Sequence, residues 1–257
     1  MIEIEKVSKS FAEQKRAARF TALDRVSLSV APGEPLCLLG PSGCGKSTLL
    51  GILAGFIVPD AGEVRIDGEP VAGPSPSRVM IFQHYGLLPW RTVAANMALG
   101  LETRGVPRAA RDAKVAHYLE LVGLGGAKDK HPAQLSGGMQ QRVAIARALA
   151  VEPEVLFMDE PFGALDAITR MQLQEDVKRL SQETGTTIVF VTHDIEEAVY
   201  LADRIAIMAA NPGRIHAVLP VQMPRVRERT SDDFILMRDR VFAAMHMKPE
   251  HPLEYYL

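Results

Sequence analysis

No apolar run in the 257-residue sequence approaches the roughly 18 residues needed to cross a bilayer. The opening MIEIEKVSKSF is charged, with no apolar signal-peptide centre behind it, so the expectation is a cytosolic chain that does not span a membrane. A global basic field is missing as well. The 29 basic and 31 acidic residues give a net charge of -2, so nothing draws the whole chain onto DNA or RNA, and nucleic acid is not an expected partner. Cysteine is scarce: Cys37 and Cys44 lie in a segment that reads as strand then loop, which suits reduced thiols better than a disulfide framework or a metal site. Internal repeats and low-complexity tracts are absent. What is present is ordinary globular material, 47% hydrophobic and 23% charged, which excludes disorder and fibrous repeats. At about 150 residues per domain the length fits one large domain, or one and a half small ones.

The first third reads as short strands, IEIEKVS, VSLSV, PLCLLG and GEVRIDG, with turns at Pro32-Gly33, Asp60-Ala61-Gly62 and Asp67-Gly68. Past Pro89 the texture changes, and Val115, Tyr118, Leu119 and Val122 predict an amphipathic helix over Val106 to Leu124. Compact apolar runs return as VLFMD and TTIVFVT, with a helical stretch from Met171 to Glu183 between them, the pattern of buried parallel strands and crossover helices. The reading is an α/β core interrupted by a helical insertion at about 90–150, then a tail after about 216. In the tail Phe234, Ile235, Met237, Val241, Phe242 and Met245 share a helical face behind a Ser231 cap, which predicts a docked surface helix, with partner binding the alternative.

Chemistry concentrates at three places. Gly40-Pro41-Ser42-Gly43-Cys44-Gly45-Lys46-Ser47 matches G-x-x-x-x-G-K-[ST] between the strand ending at Leu39 and a helix opening at Ser47-Thr48. Gly43 and Gly45 let the backbone wrap a polyphosphate, the helix N-terminus meets its charge, Lys46 reaches the terminal phosphates and the Ser47 hydroxyl can ligate Mg²⁺. Cys44 reads as a tolerated small residue, with a reactive thiol at a helix N-terminus the alternative. Next, the strand Val155 to Met158 ends in Asp159-Glu160, a Walker B pattern: Asp159 can hold the magnesium's water shell and Glu160 can polarise a water for attack on a γ-phosphate. Finally, His193 follows the apolar run Ile188 to Val191 and Thr192, where ligands of open α/β sheets collect. Alone it reads as a solvated loop residue; beside the other two, as a γ-phosphate contact.

Between the phosphate loop and the acidic pair stands Leu135-Ser136-Gly137-Gly138-Met139-Gln140-Gln141-Arg142, leading into a helix over Val143 to Ala150. A serine hydroxyl and two glycines at a helix start let backbone amides approach a phosphate. With this octapeptide the sequence resembles the ATP-binding subunits of ABC transporters, over roughly residues 1–215. The resemblance implies an α/β P-loop NTPase with a RecA-like core, an N-terminal antiparallel β subdomain and an inserted α-helical subdomain. It divides the chain into a cassette over 1–230 and a helical tail over 231–257, and implies ATP with Mg²⁺. It also implies roles by position: Gln83 as the Q-loop residue that senses Mg²⁺ and γ-phosphate, Asp166 of Gly163-Ala-Leu-Asp as the D-loop residue, and His193 as the switch histidine. An aromatic residue stacks on adenine in such proteins, and Phe11 is the candidate with Phe20 its competitor, since Ala12 to Arg19 reads as a local insertion. Met139 departs from the family, which commonly has Gln there.

In these proteins the signature segment of one subunit completes the ATP site of another, which implies a head-to-tail homodimer. The run FQHYGLLPWRTVAANMALGLETRGVPR looks most like the nitrate, sulfonate and taurine branch of bacterial importers. That branch implies integral membrane permease partners, an indirect periplasmic solute-binding protein, and a peripheral position on the cytoplasmic face of the bacterial inner membrane. The junction Gln83-His-Tyr-Gly-Leu-Leu-Pro-Trp90, with Tyr85, Leu87 and Leu88, is either interlobe packing or the receiver of a short permease helix. A soluble ABC ATPase of a cofactor- or cluster-assembly system is the alternative function. A GTPase is excluded by the lack of an Asn-Lys-x-Asp run.

Overall fold

The computed structural model describes residues 1–12, 19–83, 85–163, 165–224 and 226–245. Residues 13–18 of the expected insertion, His84 of the junction, Ala164 and residues 246–257 of the tail lie outside the described residues.

Two sheets divide the strands. The first is antiparallel, ordered β2-β1-β4-β5, from β1 (Ile2–Ala12), β2 (Arg19–Val30), β4 (Ala61–Ile66) and β5 (Glu69–Pro70). Its alternation is the reason for its form: Ile2 and Ile4 of β1, Val26, Leu28 and Val30 of β2, and Val64 and Ile66 of β4 are buried on one face. The second sheet is ordered β10-β9-β3-β8-β7-β6 and comprises β3 (Pro35–Leu39), β6 (Arg78–Ile81), β7 (Val155–Asp159), β8 (Thr187–Thr192), β9 (Arg204–Ala209) and β10 (Arg214–Pro220). All its pairs are parallel except β9 with β10. Its inner strands read as unbroken apolar runs because both faces are covered. Successive side chains then serve different cores: Leu36, Leu38, Phe157, Val189 and Val191 face the antiparallel sheet and α1 (Lys46–Leu53), while Cys37, Leu39, Leu156, Met158, Ile188 and Phe190 join the helical side.

The helical run holds α2 (Val93–Thr103), α3 (Arg108–Leu121) and α4 (Gly137–Ala150). The helix expected over Val106 to Leu124 is shorter, starting after Pro107 and ending before Gly123 at φ 67, and α2, whose own bounds were not assigned, precedes it within the expected helical stretch. The helix expected from Val143 begins six residues earlier, where the Ser136 side chain caps it. The helix expected over Met171 to Glu183 is longer, as α5 (Ala167–Thr184). After α6 (Ile195–Leu201), strands β9 and β10 carry the sheet beyond residue 216, where a tail was expected to begin. In α7 (Asp232–Ala244) Ser231 caps the first turn, and Phe234, Met237 and Val241 are buried in the helical-side core, so the helix is docked. Ile235 lies off that face and is exposed. No helix among the described residues is long and apolar enough to cross a membrane.

Candidate functional site

Strand β3 delivers the chain to residue 40 between β8 and β9, and the loop to Gly45 turns back over the strand ends into α1. Two glycines hold this turn against its floor. A Cβ on Gly40 would stand 2.5 Å from the Met208 carbonyl oxygen, and one on Gly45, at φ +91, would stand 2.6 Å from that of Ala22. Lys46 is nearly buried, its Nζ donating to the Gly40 carbonyl at 2.7 Å and the Pro41 carbonyl at 2.9 Å. The lysine is thus folded onto its own loop, on acceptors that phosphate oxygens can replace. Ser47 Oγ donates to Asp159 Oδ1 at 3.0 Å. Burial pushes the Asp159 carboxyl above its usual range, opposed by this bond from Ser47.

Parallel pairing sets the opposite wall. Asp159 is in register with Val191, so the residues just past the two strand ends meet: Glu160 Oε1 lies 3.3 Å from His193 Nδ1. Glu160 has φ +48 and its N–H donates to the Val191 carbonyl at 3.1 Å, which fixes where its side chain leaves the backbone. Between these walls a cavity of 540 Å³ is lined by Phe11, Phe20, Ser42, Gly43, Lys46, Ser47, Thr48, Gln83, Glu160 and His193, among others. Residues far apart in the sequence, from Phe11 to His193, converge there. Phe11 and Phe20 are cross-strand partners on β1 and β2, both about two-fifths exposed at the rim, so geometry offers both for stacking.

Some expected members stand elsewhere. The Cys44 side chain is fully buried beneath the loop, so the reactive-thiol alternative is corrected: this residue has only its backbone to offer a ligand. Gly40 and Pro41 line a separate groove with His193, Ile195, Arg238, Phe242 and Met245. Ser136 accepts from the Met139 N–H at 3.3 Å and Asp166 from the Thr169 N–H at 3.0 Å, each capping a helix, and neither they nor Gly137 and Gly138 line the 540 Å³ cavity. The bond from Thr169 holds the Asp166 carboxyl below its usual range.

For a divalent cation the described residues hold no cluster of three or more His, Cys, Asp or Glu. The adjacent hydroxyl and carboxylate of Ser47 and Asp159 are hard oxygen donors. Such a sparse set fits Mg²⁺, which takes one or two protein oxygens and fills its shell with phosphates and water.

The junction is pinned from below. Asn96, fully buried, accepts from the Leu88 N–H at 2.7 Å and donates to the Leu88 carbonyl at 3.0 Å, while Arg147 of α4 donates to the carbonyls of Tyr85 and Gly86. Beside the junction lies an apolar groove of 320 Å³ whose lining includes Phe82, Tyr85, Leu99, Ala144 and Ala148; Trp90 is exposed but is not part of that lining. Sequence reasoning missed Asn96, Arg147 and Gly213. A Cβ on Gly213 would stand 2.3 Å from the Cys44 carbonyl oxygen, so this glycine is part of the floor of the loop, with no motif to announce it.

The ABC transporter family pattern matches residues 23–163. A putative ATP-binding protein of Brucella abortus (strain 2308) is 48% identical over 91% of this chain and 92% of its own length. The nitrate import ATP-binding protein of Synechococcus elongatus is 49% identical over 82% of this chain and 78% of its own. Among solved structures, a dimeric ATP-binding cassette in a post-hydrolysis state bound to ADP and Pi is 32% identical, with a TM-score of 0.78 over 87% of this chain and 100% of that one.

Proposed function

The chain belongs to the ABC transporter family of ATP-binding proteins and is an ATPase with that family's P-loop α/β fold, and from this premise we propose that it powers an importer of a small anionic solute such as nitrate, a sulfonate or taurine. The observation that carries the hydrolytic half is the meeting of Glu160 and His193 across the cavity from Lys46 and Ser47. Amides of the 40–48 loop and the α1 N-terminus hold the phosphates, and Lys46 leaves the Gly40 and Pro41 carbonyls to engage their oxygens. Glu160 orients a water and accepts its proton as it attacks the γ-phosphate, and His193 contacts that phosphate. Ser47, Asp159 and Gln83 are the residues that would hold Mg²⁺, which when bound neutralises charge on the phosphates. Phe11 or Phe20 stacks on adenine.

Ser136, Gly137, Gly138 and Asp166 serve a second copy. Their absence from the lining of this chain's own cavity and the dimeric state of the similar cassette support a head-to-tail homodimer with two ATP molecules between its halves. The apolar groove lined by Phe82 and Tyr85 supports docking of a permease helix, with the solute-binding protein engaged indirectly; in this reading the subunit is peripheral, at the cytoplasmic face of the bacterial inner membrane. In this reading residues 1–230 are the cassette and 231–257 its helical tail. Anion import rests on the similarity to the nitrate import subunit.

Glu160→Gln tests the chemistry: ATP binding persists, turnover falls by about 10²–10⁴ and an ATP-bound dimer accumulates on size exclusion. Normal turnover would remove Glu160 from the mechanism. Recovery of the tagged chain with a soluble partner and no permease would favour the assembly reading.

A further inference from the structure

His193 sits on a two-residue link between β8 and α6, and the residues on either side of it are tied together by one hydroxyl that is itself held by a buried carboxylate. Thr192 Oγ1 donates to Glu197 Oε2 at 2.7 Å and accepts from the Asp194 N–H at 3.0 Å, so a single hydroxyl fixes the residues before and after the histidine. Glu197 is 6% exposed, and burial raises its carboxyl pKa, opposed by the bond from Thr192. Its second oxygen accepts from Gln174 Nε2 of α5 at 3.1 Å, and Gln174 is fully buried. A buried carboxylate with this many donors is costly to retain for packing alone.

The other half of the arrangement is incomplete. Arg170 stands one turn into α5 from Asp166 and donates through Nη2 to the Leu165 carbonyl at 3.0 Å. Its Nε is buried, makes no hydrogen bond and faces Glu197 Oε1 at 3.8 Å. That separation exceeds a hydrogen bond by less than an ångström, and a buried donor left unmade is unfavourable. A small approach of the Asp166 end of α5 toward α6 closes it.

We propose that Glu197 is the positioning residue for His193, acting through Thr192, and that the Arg170–Glu197 contact closes when a second copy engages the Asp166 loop, fixing His193 against the γ-phosphate. This rests on the reading of His193 as a γ-phosphate contact. It adds a route by which the loop facing one copy sets the histidine of the same chain.

Single-turnover ATP hydrolysis by the full chain tests it, with Glu197→Gln, Arg170→Met, Thr192→Val and Thr192→Ser made alone and with His193→Ala. Glu197→Gln, Arg170→Met and Thr192→Val are expected to slow hydrolysis about 10- to 100-fold while ATP affinity stays within about twofold, as for loss of alignment rather than binding. Thr192→Ser keeps the hydroxyl and recovers the rate, and with His193→Ala none of these changes slows hydrolysis further. Equal slowing with and without His193, or Thr192→Ser as slow as Thr192→Val, would overturn the proposal. The Thr192 pair decides even if Glu197→Gln does not fold. Unchanged hydrolysis by His193→Ala alone would instead remove the reading of His193 on which the proposal stands.

Discussion

Replacing Gly45 and Gly43 separately by alanine should split stability from binding. Both glycines have positive φ, +91 and +78, so an alanine at either pays about 1–2 kcal/mol for the left-handed conformation. Their surroundings differ. At Gly45 the new Cβ would stand 2.6 Å from the Ala22 carbonyl oxygen and 2.7 Å from Leu23 Cδ2, and that carbonyl is already held by the Gly213 N–H at 3.2 Å, so it is not free to retreat. Overpacking of this kind adds about 1–3 kcal/mol. At Gly43 nothing lies within 4 Å of the new carbon, which enters the nucleotide cavity instead. Gly45→Ala should therefore melt about 2–12 °C below Gly43→Ala, at about 2–4 °C per kcal/mol for a chain of this size. Gly43→Ala, though the more stable of the two, should lose ATP affinity because its methyl occupies phosphate space. Thermal unfolding and titration with a fluorescent ATP analogue measure the two quantities. Equal melting temperatures, or full ATP affinity in Gly43→Ala, would refute the assignment of floor and cavity to these positions.

Two further outcomes follow from the same geometry. Lys178 lies over the Tyr200 ring, and burial, then the charge of Arg227, lowers its pKa from 10.5 to about 8. The folded protein thus releases this proton near pH 8 while the unfolded chain holds it to 10.5, so stability rises with pH across that window; Lys178→Met should lack the rise, and parallel urea-unfolding profiles would refute it. Stacking on adenine, at about 1–3 kcal/mol, predicts that one of Phe11→Ala and Phe20→Ala weakens ATP binding about 5- to 150-fold, whereas two unchanged affinities would end the stacking assignment.

The phosphate loop could be read from sequence because strand, loop and helix are contiguous, and Asp159-Glu160 likewise announces itself at a strand end. That Glu160 reaches His193 could not be read, since it depends on the register of Asp159 against Val191. The pairing of Phe11 with Phe20 is likewise a fact of register, so a preference for Phe11 over its competitor Phe20 could not be tested against their placement until the strands were paired. Gly100 of α2 carries no signal in the sequence, yet a Cβ there would stand 2.6 Å from Val151 Cγ1: it is the point where α2 crosses the end of α4. Strand β9 is a plain apolar run without chemistry of its own, yet its Met208 carbonyl is what requires glycine at position 40. Local signals carried the ligand-facing half of the site, and the supporting half was written in long-range contacts.

The place of β3 in the central sheet has a consequence in time. It ends at Leu39, yet both its neighbours come later, β8 starting at Thr187 and β9 at Arg204. At about 5–20 residues per second of synthesis, a lag of about 150 residues leaves this strand with both backbone edges unpaired and apolar side chains on both faces for roughly 8–30 s. A ribosome-bound chain is therefore obliged to hold an apolar strand of its central sheet without its native neighbours through most of its own manufacture. Chaperone dependence during translation, and inclusion-body formation when synthesis outruns it, belong to the order of strands in this sheet.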